Sequence, residues 1–452
     1  MRRPVWVLHV FVVGLAVHNL VMAELWDAGV RGRALDVVSS WKEALLAVSL
    51  VVVWAAARRT FVWRWCDVLA LSYGAVVVIW ALLPESLLGG NATHRGIVIG
   101  ARHDLVPVAA YFLGRGLALS EAELRRVCAT ILATGVGLAI FGLVDIYAIP
   151  LSWWRHSGAP GWFHDQLGFD YFGLSGLPEN FIYNTGNEHP LRRLVSTFLS
   201  PLASSYVFVV ALLLAAAWLV RRRPPLLLWV PTATILFAGL LWTHSRSSEV
   251  ALAVGLVVLG LVRRQALVPL LASAAVVLVV SAVFVKAYPH VAPSTTFTAA
   301  ELRAQREHAH QTGGAAGGGF SDASTSSHWR NLRSGVRTVV HHPQGYGVGN
   351  AGSTASRTGV KVEAGESTYT ELGVDAGLLG ALLFIAWSIA LLRIVLPCTA
   401  WLGAAFVAIF VLGLQTDVLG VPWIDYVLWS LGGAVVSSVA ARPFATRLSY
   451  QE

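Results

Sequence analysis

Apolar runs dominate this chain, each about as long as a helix must be to cross a bilayer core, about 20 residues. About twelve follow one another, near 5–24, 42–58, 66–84, 104–119, 127–148, 198–220, 226–242, 247–262, 266–287, 372–394, 399–416 and 422–440. Only 13% of the residues are charged, against 56% hydrophobic, whereas a soluble globular chain carries about 25% charged residues. A soluble cytosolic enzyme, a disordered chain and a fibrous one are excluded. The predicted fold is an all-α polytopic membrane protein with about 12 transmembrane helices and two large outer loops. The runs at 104–119 and 247–262 are short, which allows a tilted or partly re-entrant path. The first run reads as a retained span, because no small-residue cleavage site follows it and Asn19 and Glu24 interrupt its end.

Orientation follows from arginine. With the N-terminus inside, the predicted cytoplasmic segments hold Arg2 and Arg3; Arg58, Arg59 and Arg64; Arg115, Arg125 and Arg126; Arg221 to Arg223; Arg263 and Arg264; Arg393; and Arg442 and Arg447. The short outer connections read as nearly free of Lys and Arg. This is the bias expected of cytoplasmic loops, and it accounts for the net charge of +8 without nucleic acid. An even number of spans returns the C-terminus to the cytoplasm. Cys66, Cys128 and Cys398 are far apart, lack CxxC spacing and read as small core residues.

The predicted organisation is N-terminal helices over 1–149, a first outer loop over 150–197, central helices over 198–287, a large outer loop over 288–371 and C-terminal helices over 372–452. The first loop is rich in aromatics, including Trp153, Trp154, Trp162, Phe163 and Tyr171. Stacking on sugars is one use for them, the interfacial aromatic belt the other. In the second loop, Thr312 to Ser327 is Gly/Ala/Ser-rich and reads as mobile, and the part from His328 on as ordered. Long structured loops gathered on one face usually carry function.

Four polar segments stand out, all predicted on the outer face. In Leu191–Pro201, Arg192 and Arg193 run against the positive-inside bias and read as headgroup anchors or an anion site. The hairpin Thr243-His244-Ser245-Arg246-Ser247-Ser248-Glu249 holds three ionisable residues at the membrane boundary. Each costs about 2.5–3.5 kcal/mol on insertion scales and is functional by default. The alternative is an Arg246–Glu249 pair capping the next helix. His341-His342-Pro343-Gln344-Gly345-Tyr346-Gly347-Val348-Gly349-Asn350 permits close backbone approach. It lacks the βαβ setting of a dinucleotide fingerprint, and its two His lack the spacing of a helical metal pair. Glu366 to Gly380 enters a span. Glu366 and Tyr369 share a face there, and Glu366 either favours the helix N-terminus or serves as a base.

These segments, in this order, resemble the O-antigen ligase and Wzy-type polymerase superfamily of GT-C-like membrane glycosyltransferases. R-x-x-G-T-F-x-N-P is similar to Arg193-Leu-Val-Ser196-Thr197-Phe198-Leu-Ser200-Pro201. T-x-S-R matches Thr243-His-Ser245-Arg246, and H-P-x-x-G-x-G resembles His342 to Gly349. The late block of the family aligns with Glu366 to Gly380. Ser196 stands at a usual Gly and Ser200 at a usual Asn. Glu366 stands where lipid A–core ligases and related protein O-oligosaccharyltransferases have a His, a departure that favours a polymerase.

The resemblance implies a polyprenyl (undecaprenyl) diphosphate-linked oligosaccharide as donor, presented at the outer face of a bacterial cytoplasmic membrane. It implies a growing lipid-linked chain or lipid A–core as acceptor, with a flippase and a chain-length regulator as further partners. It carries Arg193 and Arg246 over as diphosphate cations and Glu366 as general base. Arg192, His244, Arg102, Arg330 and Tyr369 are further substrate-binding candidates. No metal or cofactor is expected: no DxD-like pair lies on the outer segments, and Arg supplies the positive charge. The rival classes are a secondary transporter, a glycolipid flippase and a non-catalytic scaffold. The sequence shows no internal repeat, which weakens the transporter reading.

Overall fold

The computed structural model describes residues 4–57, 61–169, 177–183, 189–222, 226–297, 299, 302–303, 323–365 and 367–440. Regular structure is helical apart from two short antiparallel strands, Ile182–Tyr183 and Leu191–Arg192. The helices used below are α1 (Trp6–Asp27), α2 (Arg33–Ser39), α3 (Trp41–Ala57), α4 (Trp65–Leu82), α5 (Glu85–Leu88), α6 (His94–Leu117), α7 (Glu121–Ala148) and α8 (Leu151–His156). They continue with α9 (Pro201–Arg222), α10 (Leu226–Trp242), α11 (Arg246–Val262), α12 (Leu267–Val291) and α13 (Ala323–His341). The last are α14 (Gly352–Arg357), α15 (Thr368–Asp375), α16 (Gly377–Cys398), α17 (Ala400–Leu412) and α18 (Trp429–Ala440).

Among the described residues, seven helices are long and apolar enough to cross a membrane: α1, α4, α6, α7, α9, α12 with its preceding turn, and α16. An eighth arises if α2 and α3, bent by 43°, form one broken span, and α10 and α17 are shorter apolar helices. The protein is a polytopic membrane protein. The apolar runs map onto helices, but the bounds shift, and the run at 372–394 is divided between α15 and α16. The run at 104–119 belongs to a continuous 24-residue helix that starts at His94, because the Thr93 side chain caps it by accepting from the Gly96 amide at 3.1 Å. Ser120 and Glu123 form a reciprocal capping box that starts α7 in the same way.

Without a hydrophobic force between helices in lipid, close packing requires small residues. The pairing of α6 with α18 shows it. A Cβ on Gly114 would lie 1.8 Å from the Ser430 carbonyl oxygen, and one on Gly433 would lie 2.0 Å from that of Tyr111. The two backbones therefore touch, and Ser430 Oγ donates to the Ala110 carbonyl at 3.1 Å across the seam.

Three sequence expectations change. Arg115, counted among the cytoplasmic cations, is 3% exposed and bidentate on Asp67 at 2.7 and 2.8 Å, with Val62 O and Ser437 Oγ each at 2.7 Å. It pins α4, α6 and α18 together. The short outer connections are also not poor in cations: residues 25–41 carry Arg31 and Arg33, and residues 85–103 carry Arg95 and Arg102. Cys66 and Cys128 are buried, but Cys398, at the end of α16, is exposed.

Connections remote in sequence meet at one end of the bundle. Gln166 bonds Gly32 and Asp36. Asn350 bonds Glu85 and the Asn91 amide, His342 bonds the Leu88 carbonyl, and Thr368 bonds Gly413 and Val418. Of the Gly/Ala/Ser-rich stretch, residues 312–322 lie outside the described residues, as does Tyr171, and Ala323 opens α13.

Candidate functional site: an arginine-bearing hairpin at the loop end

The segment before α9 is a held, strained turn. Strand pairing sets Ile182 opposite Arg192. Arg192 N donates to Pro293 O and Thr295 N to Pro190 O, both at 2.9 Å, which staples the start of the second loop to the end of the first. Ser196 has φ +51° and Leu199 φ +52°. Position 196 thus explains the family's usual Gly: the turn needs the left-handed conformation. Ser196 fits by donating from Oγ to the Leu138 carbonyl at 2.8 Å.

The two arginines of this segment part company. Arg192 is 3% exposed and points to Asp145, with both carboxylate oxygens at 3.4 Å, and also donates to the Asp145 and Ile149 carbonyls. It closes the end of α7. Arg193 turns to the α10–α11 hairpin, donating from Nε to Thr243 O at 2.9 Å and from Nη2 to His244 O at 3.4 Å. The carbonyls at a helix C-terminus carry partial negative charge, so a cation is well placed there. Burial, with the like charge of Arg246 behind it, lowers the Arg193 guanidinium to about 10, which leaves it charged at neutral pH.

The hairpin itself turns on His244, a non-Gly residue at φ +50°. Its ring stacks on Tyr288 of α12 at 4.2 Å and meets Tyr183 edge-on at 4.4 Å. Neither ring nitrogen has a hydrogen-bond partner among the described residues, although the side chain is buried. Burial, then Arg193 and Arg246, lowers the imidazole to about 3, so it is neutral. Tyr288 is fixed in turn by donating to the Arg192 carbonyl. Arg246, half-buried, opens α11 with Glu249 buried one turn below. The result is two guanidinium groups within electrostatic reach of each other and a neutral, buried imidazole whose nitrogens have no partner among the described residues. The arrangement is suited to an anion with several oxygens.

The remaining sequence candidates lie elsewhere. Arg102, on α6, is exposed and ion-paired to Glu43 at 3.5 Å. Arg330 is exposed on α13. The Tyr369 hydroxyl donates to the Phe410 carbonyl at 2.9 Å, a bond that ties α15 to α17. Glu366 lies outside the described residues. The glycine-rich segment from His342 is a packing knot: a Cβ at Gly349 would lie 2.7 Å from Gly96, and one at Gly345 would lie 2.5 Å from Gly377 N. Its glycines let the second loop dock on α6 and α16.

Sequence reasoning missed a polar group at the same end. His103 bridges Asp104 at 2.7 Å and Asp417 at 2.9 Å. Asp375 takes the Asn350 amide at 3.1 Å, and buried Asp425 faces the same group. The signal was present: ionisable residues inside or beside apolar runs are rare and functional by default.

Fold and site together define a multi-pass membrane protein with a cationic, anion-suited hairpin at its loop end. Residues 231–385, which run from within α10 through the hairpin and the second loop into the first part of α16, match the family model described as O-antigen ligase. This match places the domain over residues 231–385 in the O-antigen ligase/Wzy polymerase family. Comparison with curated proteins gives no match.

Proposed function

We propose that the protein is a polysaccharide polymerase, extending a glycan on a polyprenyl diphosphate at the outer face of the bacterial cytoplasmic membrane. The observation that supports this reading is the tie from Arg193 to the hairpin bearing Arg246, which brings two guanidinium groups within electrostatic reach of each other where the lipid diphosphate would lie. In this reading the chain crosses the membrane twelve times, with both termini cytoplasmic and the loop end outside.

The reaction breaks the bond from the anomeric carbon to the diphosphate oxygen. The acceptor hydroxyl oxygen attacks that carbon, the bonding pair leaves with the diphosphate, and the hydroxyl proton passes to Glu366. Arg193 and Arg246 stabilise the charge that grows on the leaving group, each by about 3–4 kcal/mol. Glu366 contributes about 10²–10⁴-fold as base. His244, neutral and without a ring-nitrogen partner among the described residues, donates a hydrogen bond to a phosphate oxygen. Glu366, in place of the ligases' His, supports a polymerase over a ligase.

The test is purified protein in lipid with lipid-linked oligosaccharide and no other acceptor. A ladder of longer lipid-linked glycans, absent in Arg246→Ala, is expected. Transfer only after lipid A–core or a protein acceptor is added would make it a ligase. No transfer in either case would return the transporter reading.

A further inference from the structure

A polymerase must hold two lipid-linked glycans at once, each with its own diphosphate, whereas the arginine hairpin offers one such site. A second, separate feature lies on the opposite sequence half of the same end. Between α3 and α6 runs a groove of about 220 Å³, open along one side and walled by Leu46, Ala47, Leu50, Leu105 and Ala109. Glu43 and Arg102 stand at its head, and through these two residues it continues into a polar cleft of about 100 Å³.

Three cations line that cleft. Lys42 and Arg102 share a single carboxylate, Glu43, at 3.6 and 3.5 Å, and Arg357 lies over the Phe169 ring at 5.0 Å. Lys42 is 6% exposed. Deeper in the cleft Asp425, 3% exposed, presents Oδ1 without a hydrogen-bond partner among the described residues. A buried carboxylate oxygen without a donor is costly. Its natural complement is a hydroxyl-bearing ligand. The order of surfaces is therefore apolar groove, surplus positive charge, then a polar pocket with aromatic walls. Adjoining at Glu43, Arg102 and Val106, these surfaces suit a prenyl chain, a diphosphate and a sugar.

We infer that the α3–α6 groove and the cleft headed by Arg102 and Lys42 form a second site for a polyprenyl diphosphate-linked glycan, the acceptor. The inference rests on the polymerase reading above. Arg102 and Lys42 bind the diphosphate, the groove takes the first prenyl units, and Asp425 accepts from a sugar hydroxyl.

The test is native mass spectrometry of the full chain in detergent, titrated with undecaprenyl diphosphate. Wild type should bind two equivalents, Arg246→Ala one, Arg102→Ala one, and the double variant none. Ala109→Trp, which fills the groove and leaves the head untouched, should also bind one. One equivalent in wild type, lost in Arg246→Ala and kept in Arg102→Ala, would overturn the second site and leave the donor site standing. One equivalent lost in Arg102→Ala but kept in Arg246→Ala would sink the donor assignment instead. If excess phosphatidylglycerol displaces the second equivalent, the groove is an ordinary lipid site and the proposal fails. If inorganic diphosphate alone fills it equally well in Ala109→Trp, the prenyl part of the proposal fails.

Discussion

Arg193 donates from Nε to the carbonyl of Thr243 across 2.9 Å, although 50 residues separate them in sequence. One guanidinium therefore does two things. It closes the C-terminal end of α10, and it brings its charge within electrostatic reach of Arg246 on the first turn of α11. Neither role can be changed without the other.

Arg246→Ala removes charge from the proposed diphosphate site without touching the Arg193 tie. Initial rates of lipid-linked glycan elongation should fall about 10²–10³-fold. Arg193→Lys keeps a positive charge but loses the planar fork that reaches two carbonyls. It should lose rate and also lower the unfolding temperature, whereas Arg246→Ala should leave that temperature near wild type. Equal stability loss in both variants would argue against the division of roles.

The left-handed turn at Ser196 makes a second, separable prediction. Ser196→Gly relieves the backbone but loses the Oγ bond to Leu138, so thermal stability should change by less than about 1 kcal/mol. Ser196→Val adds a β-branched side chain at φ +51° and loses the same bond. It should destabilise by about 2 kcal/mol or more. Similar melting temperatures for the two would remove the conformational argument.

His244 is lowered to about 3 by burial and the neighbouring arginines, from 6.5 when exposed. A base whose folded value lies below its unfolded value stabilises the fold fully above the unfolded value and loses that contribution as pH falls. The loss is about 1.4 kcal/mol per pH unit below 6.5. His244→Asn removes the titrating ring and keeps a residue tolerant of positive φ. The wild-type stability minus that of the variant should therefore drop by about 2 kcal/mol between about pH 7.5 and 5. A difference constant with pH would show that the ring is not held neutral.

At the other end of the bundle, Asp67→Asn leaves the Arg115 guanidinium buried opposite a neutral amide. Breaking one partner of a buried pair costs about 3–5 kcal/mol, so expression in membranes and thermal stability should both fall sharply. Asp67→Asn with Arg115→Gln should recover part of the loss. Wild-type stability in the single variant would mean that the pair contributes little to holding α4, α6 and α18.

Much of this was readable from sequence because the bilayer constrains it. Apolar runs of fixed length place the helices, and the Arg193, Arg246 and His342 patterns are local enough to be recognised as motifs. What a motif does with each side chain was not readable. Arg192 and Arg193 are neighbours with the same chemistry, yet one closes α7 on Asp145 and the other holds the α10–α11 hairpin. Strand pairing at Leu191–Arg192 sends alternate side chains to opposite faces, and only the packed partners decide which face holds what. Arg115 looked like one more cytoplasmic cation until the approach of α4 and α18 buried it against Asp67. His103, Asp104, Asp417 and Asp425 looked like scattered polar interruptions. The docking of α6 against the turn after α17 made them one group. The sequence by itself determined that the chain lies in a membrane, where its helices run and which family its motifs resemble, since hydropathy and motif spacing are properties of the chain. Only the tertiary structure decided which charges are buried in pairs and which helix ends the others hold, because that depends on contacts between residues tens to hundreds of positions apart.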